Sequence, residues 1–67
     1  MYQNTTCDQT GATIADPYSC DHYFECNESG GQRVWVHQDC APGTHWDRER
    51  NICNWPEEAN CWEIPLP

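Results

Sequence analysis

The stretch Cys20-Asp21-His22-Tyr23-Phe24-Glu25-Cys26 sets the fold, because it carries two of the six cysteines in this 67-residue chain. The other four stand at positions 7, 40, 53 and 61. A chain of this length buries too little surface to be stable by packing alone, and disulfides commonly supply the difference. The cysteines therefore predict a small disulfide-rich domain made in an oxidising compartment, and so secreted or extracellular.

Zinc is the alternative use of cysteine together with histidine, and His22, His37 and His45 are present. Structural zinc sites usually have cysteine pairs separated by about two to four residues. The cysteines here are separated by 12, 5, 13, 12 and 7 residues. Disulfides are therefore favoured, and we expect no metal and no cofactor. Spacing alone leaves the pairing of the six cysteines open.

The charge of the chain limits its partners. The net charge is −8, lysine is absent, and Arg33, Arg48 and Arg50 are the three cationic residues. Nucleic-acid phosphates and anionic membranes both require basic residues. We therefore expect neither of these partners, and we expect a monomer whose acidic surface suits a neutral or slightly cationic ligand.

Two segments rich in aromatic or β-branched residues predict a β-hairpin. The strands are residues 20–26 and 32–38, joined by a turn over residues 27–31. If Val34 and Val36 face inward, alternation turns Trp35 outward. Residues 7–17 are rich in Thr, Gly and Asp, which predicts a loop.

A second, smaller hairpin follows. Its strands are residues 44–47 and 51–55 around Arg48-Glu49-Arg50, and Pro56 ends it. Residues 57–59 can form one helical turn. The domain is expected over residues 7–61, with a flexible segment 1–6 before it and a tail 62–67 after it. Asn4 and Asn27 begin possible N-glycosylation motifs.

Met1 is followed by polar residues without an apolar signal core. We therefore expect a mature domain or part of a longer protein.

Three motifs together resemble one known family. Asp16-Pro17-Tyr18-Ser19-Cys20 continues into the stretch quoted above, and Cys40-Ala41-Pro42-Gly43-Thr44-His45-Trp46-Asp47 and Cys53-Asn54-Trp55-Pro56 follow in order, with Cys61 last. From Cys7 to Cys61 this resembles the peritrophin-A-type chitin-binding domain, also called chitin-binding type 2 or carbohydrate-binding module family 14. The family pattern has proline at Ala41, leucine at Thr44 and aspartate at Asn54.

The resemblance implies a fold and a disulfide pairing. The expected fold is a three-stranded antiparallel sheet beside a small hevein-like hairpin. The expected bridges are Cys7–Cys26, Cys20–Cys61 and Cys40–Cys53, of which the last would staple the smaller hairpin.

The resemblance also implies binding of chitin, a neutral polymer of N-acetylglucosamine. Sugar rings present flat C–H faces that stack on aromatic side chains, while a few polar groups orient the hydroxyls and acetamide. Trp55 is the first candidate, and packing on the Cys40–Cys53 bridge is its competing role. Core packing is the favoured role for Trp46. The full candidate set is Trp55, Trp46, Trp35, Thr44, Asp47, Ile52 and Asn54.

Catalysis is not expected, because a glycosidase needs two carboxyl groups fixed across a cleft that this chain is too small to form. Bridged cysteines also leave no thiol nucleophile. The alternative function is a secreted cystine-rich protein that binds another protein, as an inhibitor, allergen or signalling ligand, without carbohydrate affinity. A third possibility is a targeting module of a larger chitin-acting protein.

Overall fold

The computed structural model describes residues 6–65. Residues 1–5, with the motif at Asn4, and residues 66 and 67 lie outside this range. The described chain forms two antiparallel sheets and one short helix. The elements are β1 Thr13–Ala15, β2 His22–Ser29, β3 Gln32–Asp39, β4 His45–Asp47, β5 Ile52–Asn54 and α1 Pro56–Ala59.

The larger sheet has the order β1-β2-β3, and the smaller one pairs β4 with β5. The expected three-stranded sheet and small hairpin are therefore confirmed. Strand β1 lies within residues 7–17, which were predicted as a loop. That prediction was wrong because a three-residue strand has almost no pattern of its own, and pairing such as Thr13 with Glu25 forms it.

The β2–β3 hairpin is longer than predicted because its turn is shorter. Gly30 and Gly31 have φ of 59° and 81°, the left-handed values of a two-residue hairpin turn, which glycine adopts without strain. Strand β2 therefore continues to Ser29, which pairs with Gln32. Cys20 and Asp21 lie in a turn before the strand.

The predicted orientation of β3 was wrong for Val34 and Trp35, whereas Val36 is half-buried on the sheet face that carries Tyr23. Trp35 pairs with Cys26, which is fully buried, whereas Val34 is 42% exposed. Paired residues of antiparallel strands share a face, so Trp35 faces the same side as Cys26 and is half-buried. Val34 lies opposite Asn27, near the turn of the hairpin.

Three disulfides and one aromatic pair form the core. The bridges are Cys7–Cys26, Cys20–Cys61 and Cys40–Cys53, as the resemblance implied. Trp46 is 3% exposed, and its ring stacks on Tyr23 at 4.3 Å between centroids. The Trp46 N–H also donates to the Cys20 carbonyl at 2.8 Å. These contacts fix the smaller hairpin against the larger sheet.

The single helix in residues 6–65 is α1, the expected helical turn, and no helix there has the length and hydropathy to cross a bilayer. The described part of the C-terminal tail is bound to the domain. The Ile64 N–H donates to the Pro17 carbonyl at 2.8 Å, and the Cys20 N–H donates to Glu63 Oε2 at 2.9 Å.

Candidate functional site

Trp55 is an exposed aromatic side chain on a fixed backbone. Trp55 is 63% exposed. It is therefore not packed on the Cys40–Cys53 bridge, which was the competing role. Its N–H donates to Asn54 Oδ1 at 2.8 Å, and its carbonyl accepts from the N–H of Glu58 and Ala59 at 2.9 and 2.8 Å. The backbone that carries the indole is therefore fixed before any ligand binds.

A groove of about 250 Å³ reaches the residue that follows this tryptophan in sequence. Pro56, the residue after Trp55, forms part of its lining, and the loop from Cys40 to Gly43 forms another part. Because Cys40 is bridged to Cys53, one disulfide holds both the groove and the strand that leads to Trp55.

The groove offers polar groups of several kinds. Asp21, Thr44 and His45 line it, and His45 Nε2 is 3.7 Å from Asp21 Oδ1. The Thr44 hydroxyl donates to the Ala41 carbonyl at 2.6 Å, which leaves its oxygen able to accept. Donors and acceptors beside an exposed indole suit a ligand that has an apolar face and polar edges.

Asp47 has a structural position in the hairpin turn rather than an open one. Asp47 is 1% exposed, and its Oδ1 accepts hydrogen bonds from the backbone N–H of Glu49 and Arg50 at 3.0 and 3.1 Å. Its Oδ2 accepts from Arg50 Nη1 at 2.7 Å and from Asn54 Nδ2 at 3.3 Å. The Arg50 hydrogen bond lowers the pKa of Asp47 below its ordinary value of 3.8.

The remaining candidates are dispersed. Ile52 is 49% exposed, whereas Trp46 is buried, the role that the sequence favoured for it. Asn54 is half-buried, and its amide is used by Trp55 and Asp47. Trp35 lies in β3, on the other sheet.

Trp62 is a second exposed tryptophan, at 57%. The Arg48 guanidinium carbon lies 4.0 Å from its ring centroid, and Arg48 Nη2 donates to the Trp62 carbonyl at 3.3 Å. Neither residue lines the groove. Trp55 is not a lining residue either, but its neighbour Pro56 is, whereas neither sequence neighbour of Trp62 lines the groove.

Sequence reasoning missed Asp21, His45 and Pro56 as groove residues. Asp21 reaches the groove because its carbonyl accepts from the Cys40 N–H at 2.7 Å. That contact joins segments far apart in sequence. The expected Cys40–Cys53 and Cys20–Cys61 bridges could have indicated these residues, because a disulfide brings the residues beside its two cysteines close together.

The comparisons with known proteins agree with this architecture. The family model for the chitin-binding peritrophin-A domain matches residues 7–61. The chain is 34% identical over 61 residues to "Probable chitinase 10" of Drosophila melanogaster, covering 91% of this chain. It is 39% identical over 44 residues to "Peritrophin-1" of Anopheles gambiae, covering 66% of this chain. It spans 2% and 27% of the lengths of these two relatives.

No solved structure matches the chain. The family match covers most of the chain, from its first cysteine to its last, and it includes all three disulfides. The chain therefore belongs to the peritrophin-A chitin-binding domain family.

Proposed function

We propose that this domain binds chitin without catalysis, by stacking a sugar ring on Trp55 and contacting polar groups of the adjacent groove. The observation that carries the proposal is the 63% exposure of Trp55 on a backbone held at both ends. Exposed tryptophan is costly in solvent unless a ligand covers it, and a rigid platform loses little entropy on binding. Family membership supports chitin as the ligand.

The chemistry of chitin matches this surface. An N-acetylglucosamine ring has an apolar C–H face that complements the negative face of an indole. Its hydroxyls and acetamide require donors and acceptors, which Thr44, His45 and Asp21 supply in the groove. Ile52, exposed on the same hairpin, adds apolar area for a longer chain of sugars. Trp46 is left out because it is buried, and Asp47 because its oxygens are used internally.

The size of the Trp55 contribution follows from its exposed area. A tryptophan side chain has roughly 250 Å² of surface, so 63% exposure leaves about 160 Å². One stacked sugar covers about half of that, or ~80 Å². At about 25 cal/mol per Å² the contact contributes ~2 kcal/mol, or about 30-fold in affinity.

The test is retention of the oxidised protein on chitin beads, with cellulose beads as the control matrix. Wild type is expected to be retained on chitin, and Trp55→Ala is expected to bind about 30-fold more weakly. Trp62→Ala is the matched control, because it removes an indole of similar exposure whose sequence neighbours do not line the groove. Equal loss in both variants would move the site away from Trp55.

Failure of correctly folded wild type to bind chitin would instead favour the alternative of a secreted protein-binding domain. In that case a protein partner, rather than a polysaccharide, would cover Trp55.

We further propose that the domain acts as a targeting module in a larger secreted protein. The short share of its relatives that the chain spans supports this role, and the three disulfides suit an extracellular location. A fluorescent protein fused to the domain should be retained on chitin, and the same fusion carrying Trp55→Ala should be released. Retention of both fusions alike would contradict the proposed role of the site.

A further inference from the structure

One face of the three-stranded sheet carries a row of three stacked rings. His37 lies between Phe24 and His22, with its ring centroid 4.7 Å from each. The strand register causes this arrangement, since Phe24 pairs with His37 and His22 pairs with Asp39 on the neighbouring strand. Two imidazoles that are far apart in sequence are thus side by side.

A buried carboxylate completes the cluster. Asp16 Oδ2 lies 2.9 Å from His37 Nε2, and the Asp16 side chain is 11% exposed. Its other oxygen accepts from the Tyr18 N–H at 2.9 Å, which fixes the carboxylate. One potential ligand atom from each of Asp16, His22 and His37 lies within 4.8 Å of the others.

The His22 ring also has outer partners of the kind that support metal ligands. Its Nδ1 is 2.7 Å from Ser19 Oγ, and its Nε2 is 2.9 Å from Asp39 Oδ1. Whichever nitrogen of His22 binds an ion, the other keeps a hydrogen-bond partner that orients the ring. Asp39 itself is 82% exposed.

We propose that Asp16, His22 and His37 form a binding site for a divalent transition-metal ion, with Zn²⁺ as the representative ion. Two imidazole nitrogens and one carboxylate oxygen are a donor set that suits Zn²⁺ or Cu²⁺, whereas Ca²⁺ and Mg²⁺ prefer oxygen alone. The net charge of −8 favours a cation. The site is independent of the sugar groove, since none of its three ligands lines that groove.

The expectation of no metal rested on the spacing of the cysteines, all of which are bridged. It did not consider histidines brought together across strands.

Binding changes the ring stack in a defined way. A metal ion lies in the plane of each imidazole that binds it, but the two rings are stacked with 24° between their planes. The rings must therefore turn to point their nitrogens at one ion. Side-chain exposures of 33% for His22 and 50% for His37 give them room. His37 then leaves the face of Phe24, and the Phe24 ring protons report the change.

The experiment is a titration of the oxidised, untagged wild-type protein with ZnCl₂ at neutral pH, followed by calorimetry and NMR. We expect one ion per chain, with shifts at the ring signals of His22, His37 and Phe24. His22→Gln and His37→Gln should each weaken Zn²⁺ binding by more than about tenfold, and Ser19→Ala by about tenfold. His45→Gln is the matched control, because its imidazole has an aspartate partner but lies outside the cluster.

The NMR spectrum of each variant without metal establishes that it is folded. Unchanged Zn²⁺ affinity in both His22→Gln and His37→Gln would overturn the proposal, as would equal loss in His45→Gln. Absence of heat and of shifts in wild type would overturn it without any variant.

Discussion

Removal of the Cys40–Cys53 bridge should have two measurable effects, one on the stability of the domain and one on its affinity for chitin. The bridge closes a loop with a sequence separation of 13, and the chain-entropy model gives such a loop about 3 kcal/mol of stability. The double variant Cys40→Ala with Cys53→Ala should therefore lose ~3 kcal/mol. With a urea slope of about 1 kcal/mol/M for a small domain, the unfolding midpoint falls by ~3 M.

The Cys7–Cys26 bridge provides a matched comparison. Its sequence separation of 19 gives a similar loss of about 3 kcal/mol, but neither cysteine lines the groove. At a temperature where both double variants remain folded, the variant without Cys40–Cys53 should lose more chitin affinity than the variant without Cys7–Cys26. Without Cys40–Cys53 the loop at Cys40 and the strand before Trp55 must be ordered on binding, at about 1–2 kcal/mol per residue.

We expect chitin affinity to fall at least about tenfold without the Cys40–Cys53 bridge and to stay near wild type without Cys7–Cys26. Urea unfolding gives the stability, and bead-binding isotherms give the affinity, with near-ultraviolet circular dichroism as the check on folding. Equal affinities in the two folded variants would refute the argument that the bridge organises the site.

Three further predictions concern salt, acid and the main hairpin turn. If stacking dominates, chitin retention should be unchanged between 0.1 and 1 M salt, although the screening length falls from about 10 to about 3 Å; loss at high salt would indicate a charge-driven contact. Arg50 lowers the pKa of Asp47 in the folded state. The Asp47 carboxylate therefore stabilises the fold at pH values above its ordinary pKa of 3.8. That stability is lost as the pH falls through the lowered pKa. Urea midpoints below pH 4 should therefore fall more steeply in wild type than in Asp47→Asn, and parallel profiles would contradict this. Gly31→Ala places a side chain at φ of 81° and should cost about 1–2 kcal/mol of folding stability. The thermal midpoint should fall by about 4–8 °C for each kcal/mol lost. An unchanged midpoint would mean that the turn tolerates alanine.

Both hairpins were predictable, because runs of strand-forming residues and the turn residues between them carry that information locally. The disulfide pairing was expected only from the resemblance to a known family, since cysteine spacing leaves it open. The prediction of a five-residue turn was wrong because Gly30 and Gly31 alone close the hairpin. The preceding Asn27, Glu28 and Ser29 belong to β2 despite their weak strand propensity. Strand β1 was missed for the opposite reason, since its pairing partner, rather than its own sequence, makes it a strand.

The exposure of the candidate aromatic residue was easier to predict than the arrangement of the polar residues. Trp55 was selected because it follows the bridged Cys53 closely in sequence; it is exposed, and its role in binding stays a prediction. Asp47 was chosen as a polar residue on the hairpin, but its carboxylate is turned inward to the backbone of the same turn. Asp21 and His45 meet only through contacts between distant segments, which one sequence does not encode in a visible pattern.

The central claim is that one tryptophan of this domain stacks on chitin. The most direct measurement is a titration of ¹⁵N-labelled protein with a soluble chito-oligosaccharide, following the indole N–H signals of the tryptophans. We expect the Trp55 signal to move most, together with the backbone signals of Thr44 and His45, while the Trp62 signal stays in place. Saturable shifts centred on Trp62 or Trp35, with Trp55 unmoved, would contradict it.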